Sequence, residues 1–139
     1  MAQIALTPVI LNDIDLVIGA DNYEVSVSKA EIVPTTPTVT WKGMTPTAIQ
    51  QLAGAATWML NLDYAQDHAT ASSLSQYLLA NAGTIKTIKL KPKKPATGTA
   101  PTYTIDALIV PGPIGGALDQ VATGSVSLPC NGQPVRSVA

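Results

Sequence analysis

The residue types that carry most enzyme chemistry are scarce in this chain. It holds one histidine, His68, and one cysteine, Cys130. A Cys/His nucleophile pair is formally available, but no spacing brings the two together. His68 lies in Q-D-H-A-T, a polar loop context with no positioned partner for a general base. Cys130 lies in P-C-N-G, where no neighbouring cation would lower a thiol pKa. Asp13 and Asp15 share a strand parity, and Asp63 and Asp67 flank the end of another strand. Paired carboxylates can do acid–base work or hold Ca²⁺, yet an ordinary acidic face needs the same residues. No EF-hand, zinc or H-E-x-x-H spacing occurs. The Gly-rich G-P-I-G-G at Gly112–Gly116 lacks the lysine and Ser/Thr of a phosphate loop and reads as a turn. Catalytic, cofactor-binding and metal-binding residues are therefore expected to be absent.

Two features remain. The run K-T-I-K-L-K-P-K-K places Lys86, Lys89, Lys91, Lys93 and Lys94 together, five of the eight basic residues. It reads as a nucleic-acid patch, as a lysine-protected edge strand, or as a source of salt bridges between subunits. No aromatics interleave with it, so a base-stacking platform is disfavoured. Of the two tryptophans, Trp58 falls on an alternating strand and reads as core. Trp41 lies in a proline-bounded stretch and reads either as a loop anchor or as a contact residue at an interface, where tryptophan is enriched.

The elements that must position these residues are mostly strands. Asp13–Ile18 ends at Gly19, and Tyr23, Val25 and Val27 alternate with polar neighbours. Thr57–Tyr64 is the clearest case, with Trp58, Leu60, Leu62 and Tyr64 on one side. Further strands are expected at Ile85–Leu90, with a bulge where the apolar spacing slips, and at Thr102–Val110 and Val121–Leu128. Asn131-Gly132 reads as the turn of a last short hairpin, confined to a sheet edge by Pro129 and Pro134. One helix is expected at about Ser73–Asn81, with a Ser73/Gln76 capping box, Leu74, Tyr77 and Leu78 on one face, and Gly83 closing it. A weaker helix reading covers Pro46–Ala53. Pro34 and Pro37 argue against a continuous central strand over Val33–Gly43. With Met44–Ala56 this makes a long loop excursion, about 33–56, between two good strands. Such loops are usually functional or disordered. Further Pro/Gly-rich loops span Pro92–Pro101 and Pro111–Gly116. Many strands with one short helix predict a mainly β fold, a β-sandwich or partial barrel with one flanking α-helix.

Composition fits a covered surface better than an isolated one. Charged residues are 12% of 139, and the net charge is −1, against about 25% charged residues in ordinary soluble domains. A single domain over 1–139 is expected from length. With one cysteine no intrachain disulfide is possible. The N-terminus lacks the basic and apolar regions of a signal peptide, and no apolar run reaches membrane-spanning length. A product made in the cytoplasm is the expectation.

Taken in order, T-W-K-G-M-T-P (Thr40–Pro46), W-M-L-N-L-D-Y-A-Q-D (Trp58–Asp67), S-S-L-S-Q-Y-L-L-A-N-A-G (Ser72–Gly83), P-G-P-I-G-G (Pro111–Gly116) and S-V-S-L-P-C-N-G-Q-P (Ser125–Pro134) resemble the major tail tube proteins of long-tailed, siphovirus-type bacteriophages, especially those of actinobacteria. Order and spacing carry the likeness over about Val33–Pro134; no single motif is diagnostic. The resemblance implies a non-enzymatic structural virion protein, made in the bacterial host cytoplasm and resident in the tail. Hexameric rings would stack into a tube through which double-stranded DNA passes transiently and without specificity. It implies contacts with the tape measure, tail terminator and baseplate proteins, and none with a membrane. The excursion would pack on the adjacent ring, which makes Pro34, Pro37, Trp41, Lys42 and Met44 candidate inter-ring contacts. A lumen that must not grip phosphates makes Asp13, Asp15, Glu24 and Asp106 candidates to face inward, with the lysines turned away or paired. The lysine run departs from the acidic lumen usual for such tubes.

Two other classes compete. One is a different virion part, a head decoration protein or tail terminator. The other is a monomeric β-sandwich binding module, for which an aromatic content of 4% is low.

Overall fold

The computed structural model describes residues 2–6, 8, 10, 11, 13–92 and 100–138. The alternation that marks strands in the sequence becomes an antiparallel sheet whose two faces differ in chemistry. The elements are β1 (Asp15–Ile18), β2 (Asp21–Asn22), β3 (Val27–Thr35), β4 (Thr38–Lys42), β5 (Ile49–Ala53), β6 (Thr57–Ala65), α1 (Leu74–Ala80), β7 (Ile85–Lys91), β8 (Pro101–Leu108) and β9 (Thr123–Val138). Seven strands form one curled sheet, a half-barrel in the order β2-β1-β7-β8-β9-β6-β3, while β4 and β5 form a separate two-stranded sheet. This is the mainly β, partial-barrel architecture with one flanking helix that the sequence predicts.

One face of the large sheet carries the core. Leu16, Ile18, Leu60, Leu62, Tyr64, Ile88, Ile109 and Leu128 are almost fully buried, and α1 adds Leu74 and Leu78 one turn apart. Each such aliphatic side chain contributes roughly 1.5–3 kcal/mol of transfer free energy. The helix is only seven residues long, too short to persist without that packing. No helix is long and apolar enough to cross a membrane among the described residues.

Several local expectations change. Tyr23, Val25 and Val27 do not form one strand: Ser26 N–H donates to the Tyr23 carbonyl at 3.0 Å and closes a turn. Tyr23 is buried in that turn while Val25 stands 98% exposed at its outside. Strand β3 starts at Val27 and runs through Pro34, which pairs with Trp58. That is tolerated because β3 is the last strand of the sheet, where a missing N–H can face outward. The helix reading of Pro46–Ala53 fails, since Ile49–Ala53 pairs with Thr38–Lys42 as β5. Strand β7 has no bulge; its register with β8 is regular, and Ile85 simply points outward. Asn131-Gly132 is not a hairpin turn. Gly132 does take φ +83, but the chain continues as one 16-residue strand. The register of β9 against β8 slips between Thr104 and Asp106, opposite that glycine. The first half of β9 pairs with β6 and the second half with β8, so the bulge lies where the strand changes partners.

The capping box is also absent. Ser73 Oγ donates to the Asp67 carbonyl at 2.6 Å and Gln76 Nε2 to the His68 carbonyl at 2.6 Å. Both side chains hold the loop that leads into α1 instead of closing the helix end. The helix does end as expected, with Gly83 at φ +85.

Candidate assembly surfaces

The stretch expected as a loop excursion is an ordered arm. Gly54 N–H donates to the Pro37 carbonyl at 2.8 Å at its base, and Gly43 N–H to the Ala48 carbonyl at 2.6 Å near its tip. Thr40 Oγ1 donates to Gln51 Oε1 at 2.7 Å across it. All ten strand residues of β4 and β5 are exposed. Register places Val39 opposite Leu52 and Trp41 opposite Gln50 on one side of the ribbon, with Thr38, Thr40 and Lys42 on the other. Trp41 is 64% exposed and Met44, at the tip, fully so. An isolated two-stranded hairpin is marginally stable in water, and this one presents an apolar side left exposed among the described residues.

The five residues nominated as inter-ring contacts fall along this feature. Pro34 sits near the end of β3, Pro37 at the base of the arm, Trp41 and Lys42 in β4, and Met44 at the tip. Sequence reasoning missed Val39, Ile49 and Leu52, which the same ribbon exposes. The T-V-T-W-K alternation was the available signal.

The second surface is the outward face of the large sheet. Cross-strand neighbours there are polar and bonded in a ladder. Ser127 Oγ donates to Asn61 Oδ1 at 2.7 Å, Ser125 Oγ to Asp63 Oδ1 at 2.6 Å, and Thr87 Oγ1 to Asp106 Oδ1 at 2.9 Å. Lys29 Nζ pairs with Glu31 at 3.2 Å. Asp15 stands opposite Lys91, and Val17 opposite Lys89. Three lysines, Lys29, Lys89 and Lys91, thus share the face with four carboxylates, Asp15, Glu31, Asp63 and Asp106. The edge-strand reading of the lysine run is corrected: β7 lies between β1 and β8, inside the sheet. Lys86 takes the opposite parity, in register with Ala107, and Lys93 and Lys94 lie outside the described residues.

Of the four nominated acids, the structure brings Asp15 and Asp106 to this face and leaves the other two off it. Asp13 is in the exposed segment before β1. Glu24 is in the turn at the sheet margin, where Oε2 accepts the Leu16 N–H at 3.4 Å.

The remaining reactive types are spread over the loop before α1 and strand β9. His68 is exposed, with Nε2 3.0 Å from Gln66 Oε1. The Asp67 carboxylate accepts the amides of Ala69 and Thr70 at 3.0 and 3.1 Å. Hydrogen bonds from Thr70 first, then Ala69, hold its pKa below the usual carboxylate value. Burial pushes the Cys130 thiol up, away from reactivity. The G-P-I-G-G turn is pinned: Gln66 Oε1 accepts the Gly115 N–H at 2.9 Å, and its Nε2 donates to the carbonyls of Gly115 and Thr123 at 3.0 and 2.8 Å. Trp58 packs partly buried against the core. No three His, Cys, Asp or Glu side chains converge among the described residues.

No protein-family model matches the chain, and no curated protein does. Solved structures do. A chain of the virion of a native gene transfer agent particle superposes with TM-score 0.62 at 13% identity, over 88% of this chain and 95% of that one. A chain of the six-fold symmetrised anti-feeding prophage baseplate superposes with TM-score 0.57 at 11% identity, over 96% and 97% of the two chains. At such identities the likeness establishes a shared fold along nearly the full length of each.

Proposed function

We propose that this chain is the repeating subunit of a phage-type tail tube, assembling as hexameric rings that stack into a channel for double-stranded DNA. The exposed β4–β5 arm carries the proposal. It is a ribbon that cannot be stable alone, attached to a sheet whose last strand, β3, has a free edge. Both features are resolved by a second copy. Lateral closure of the half-barrels pairs free edges, which are otherwise aggregation sites. A head-to-tail contact through the arm generates an open stack. The shared fold with chains of a gene transfer agent virion and of a six-fold symmetrised baseplate supports both the setting and the ring number.

The polar outward face suits a channel wall. Its charges nearly balance, so it offers little net attraction to a phosphate backbone. Register adds a constraint: if Asp15 and Asp106 face the channel, Lys89 and Lys91 face it too. Turning the lysines away and these acids inward cannot both hold, and local charge pairing is the arrangement that remains.

Electron microscopy of the purified chain at high concentration tests the proposal. Long rods with a regular ring repeat are expected; persistent monomers would count against it. A second reading, a baseplate ring, is favoured by the baseplate superposition. It predicts discrete rings that do not elongate.

A further inference from the structure

The half-barrel does not close on itself, and a half-open slot of about 290 Å³ remains between β1 and β3. Leu11, Ile14 and Leu16 line it from the β1 side, Val27 and Ala30 from β3, and Val25 from the turn that bridges them. The rim is incompletely covered: Val25 is 98% exposed, Leu11 58%, and the adjacent Ile10 76%. Two carboxylates, Asp13 and Glu24, stand at the same slot. Among the described lining residues the one cation, Lys29, is paired with Glu31. An apolar hole with an acidic rim needs an occupant that is apolar and cationic.

The arm matches that description. It offers Trp41 on one side of the ribbon, Met44 at the tip, and on the other side Lys42, the only charged residue between Thr36 and Ala56. The arm cannot reach the slot of its own chain. It leaves the sheet at Thr35 and Thr57, whereas the slot takes in the opposite end of β3. Eight strand steps, about 26 Å, separate the two ends, and neither β4 nor β5 packs back along the sheet. A copy stacked in the same orientation would bring its slot end to the first copy's arm end. On the tail-tube reading, we infer that the slot between β1 and β3 receives the Trp41 end of the arm from the neighbouring ring. Trp41 would enter the apolar hole, and Lys42, projecting from the ribbon's other side, would lie toward the acidic rim of Asp13 and Glu24.

The test uses full-length chains, followed by sedimentation velocity and negative-stain microscopy over a concentration series. Trp41→Ala removes the knob and leaves the slot. Val25→Arg puts a bulky cation in the slot mouth and leaves the arm. Both sites are exposed, so folding should survive; Leu11→Arg is a second slot variant, and circular dichroism checks each. Each variant alone should need about a hundredfold more protein, or more, to elongate, the loss expected of a buried aromatic anchor. Mixed together they should form two-layer particles and no longer ones, because only Val25→Arg arms meet open Trp41→Ala slots. Wild-type rods with both slot variants elongating normally would overturn the slot and leave the tube reading standing. A mixture no better associated than its folded components would also overturn the slot. Failure of the wild-type chain to form rods would overturn both.

Discussion

Trp41→Ala separates an assembly role from a folding role, and its size can be worked from exposure. A large aromatic side chain buries about 150–250 Å² when fully covered. Trp41 is 64% exposed, which leaves about 100–160 Å² open on the free subunit. Covering that area at about 25 cal/mol per Å² is worth roughly 2.5–4 kcal/mol per arm. Removal of the indole should then raise the concentration for half-assembly by two to three orders of magnitude. The same substitution removes little from the subunit, because among the described residues no arm residue belongs to the core or is one of the hydrophobics packed against it. Its thermal midpoint should stay within a few degrees of wild type. The assay pairs sedimentation velocity, which reads assembly, with a thermal melt of dilute protein, which reads folding. The reasoning fails if Trp41→Ala assembles like wild type. It fails equally if the melt drops sharply and the assembly loss merely follows it.

Three further outcomes follow from the same structure. Replacing residues 38–53 by a short Gly/Ser link, permitted because Thr35 and Thr57 are paired neighbours, should leave the melting temperature nearly unchanged and abolish rods on grids. Gly112→Ala should destabilise the fold by about 1–3 kcal/mol in a denaturant titration, because the added Cβ would run into the hydroxyl of the buried Tyr64; Tyr64→Phe should relieve part of the loss. Alkaline stability should fall because Tyr23, desolvated by burial and facing Asp21, has its pKa raised to about 12. Its folded pKa lies above the unfolded value, so its contribution is complete below about pH 10 and fades as pH rises toward 12. The loss amounts to roughly 2 kcal/mol, less in Tyr23→Phe, and burial of Tyr64 and Tyr77 acts in the same direction.

Much of the fold was legible from periodicity. Trp58, Leu60, Leu62 and Tyr64 sit on one side of a strand with polar partners on the other, and tertiary packing only reinforces that pattern. The helix at Leu74–Ala80 was legible for the same reason. What stayed hidden depended on long-range pairing. Pro34 argues against a strand unless the strand is known to be at an edge, and edge position is decided by which distant segments pair. Gly132 does adopt the left-handed backbone that Asn-Gly suggests, but whether that makes a turn or a bulge depends on β8 lying alongside. Ile49–Ala53 has good helical composition and becomes a strand because Thr38–Lys42 is its partner. Ser73 and Gln76 were right for a cap, yet found better acceptors in the loop at Asp67 and His68. The position and composition of the arm were readable, whereas its ordered, fully exposed ribbon was not. Of the three readings of the lysine run, the edge-strand one fails because nothing local says that the four residues of β1 cover β7.

The central claim is that the arm becomes buried against another copy of the chain. Hydrogen exchange of the backbone amides in residues 38–53, compared between dilute subunits and assembled material, addresses it directly. Rapid exchange is expected in the free chain, as for an isolated hairpin, and strong protection once assembled, while the amides of β6 change little. Equal exchange of residues 38–53 in both states would contradict it.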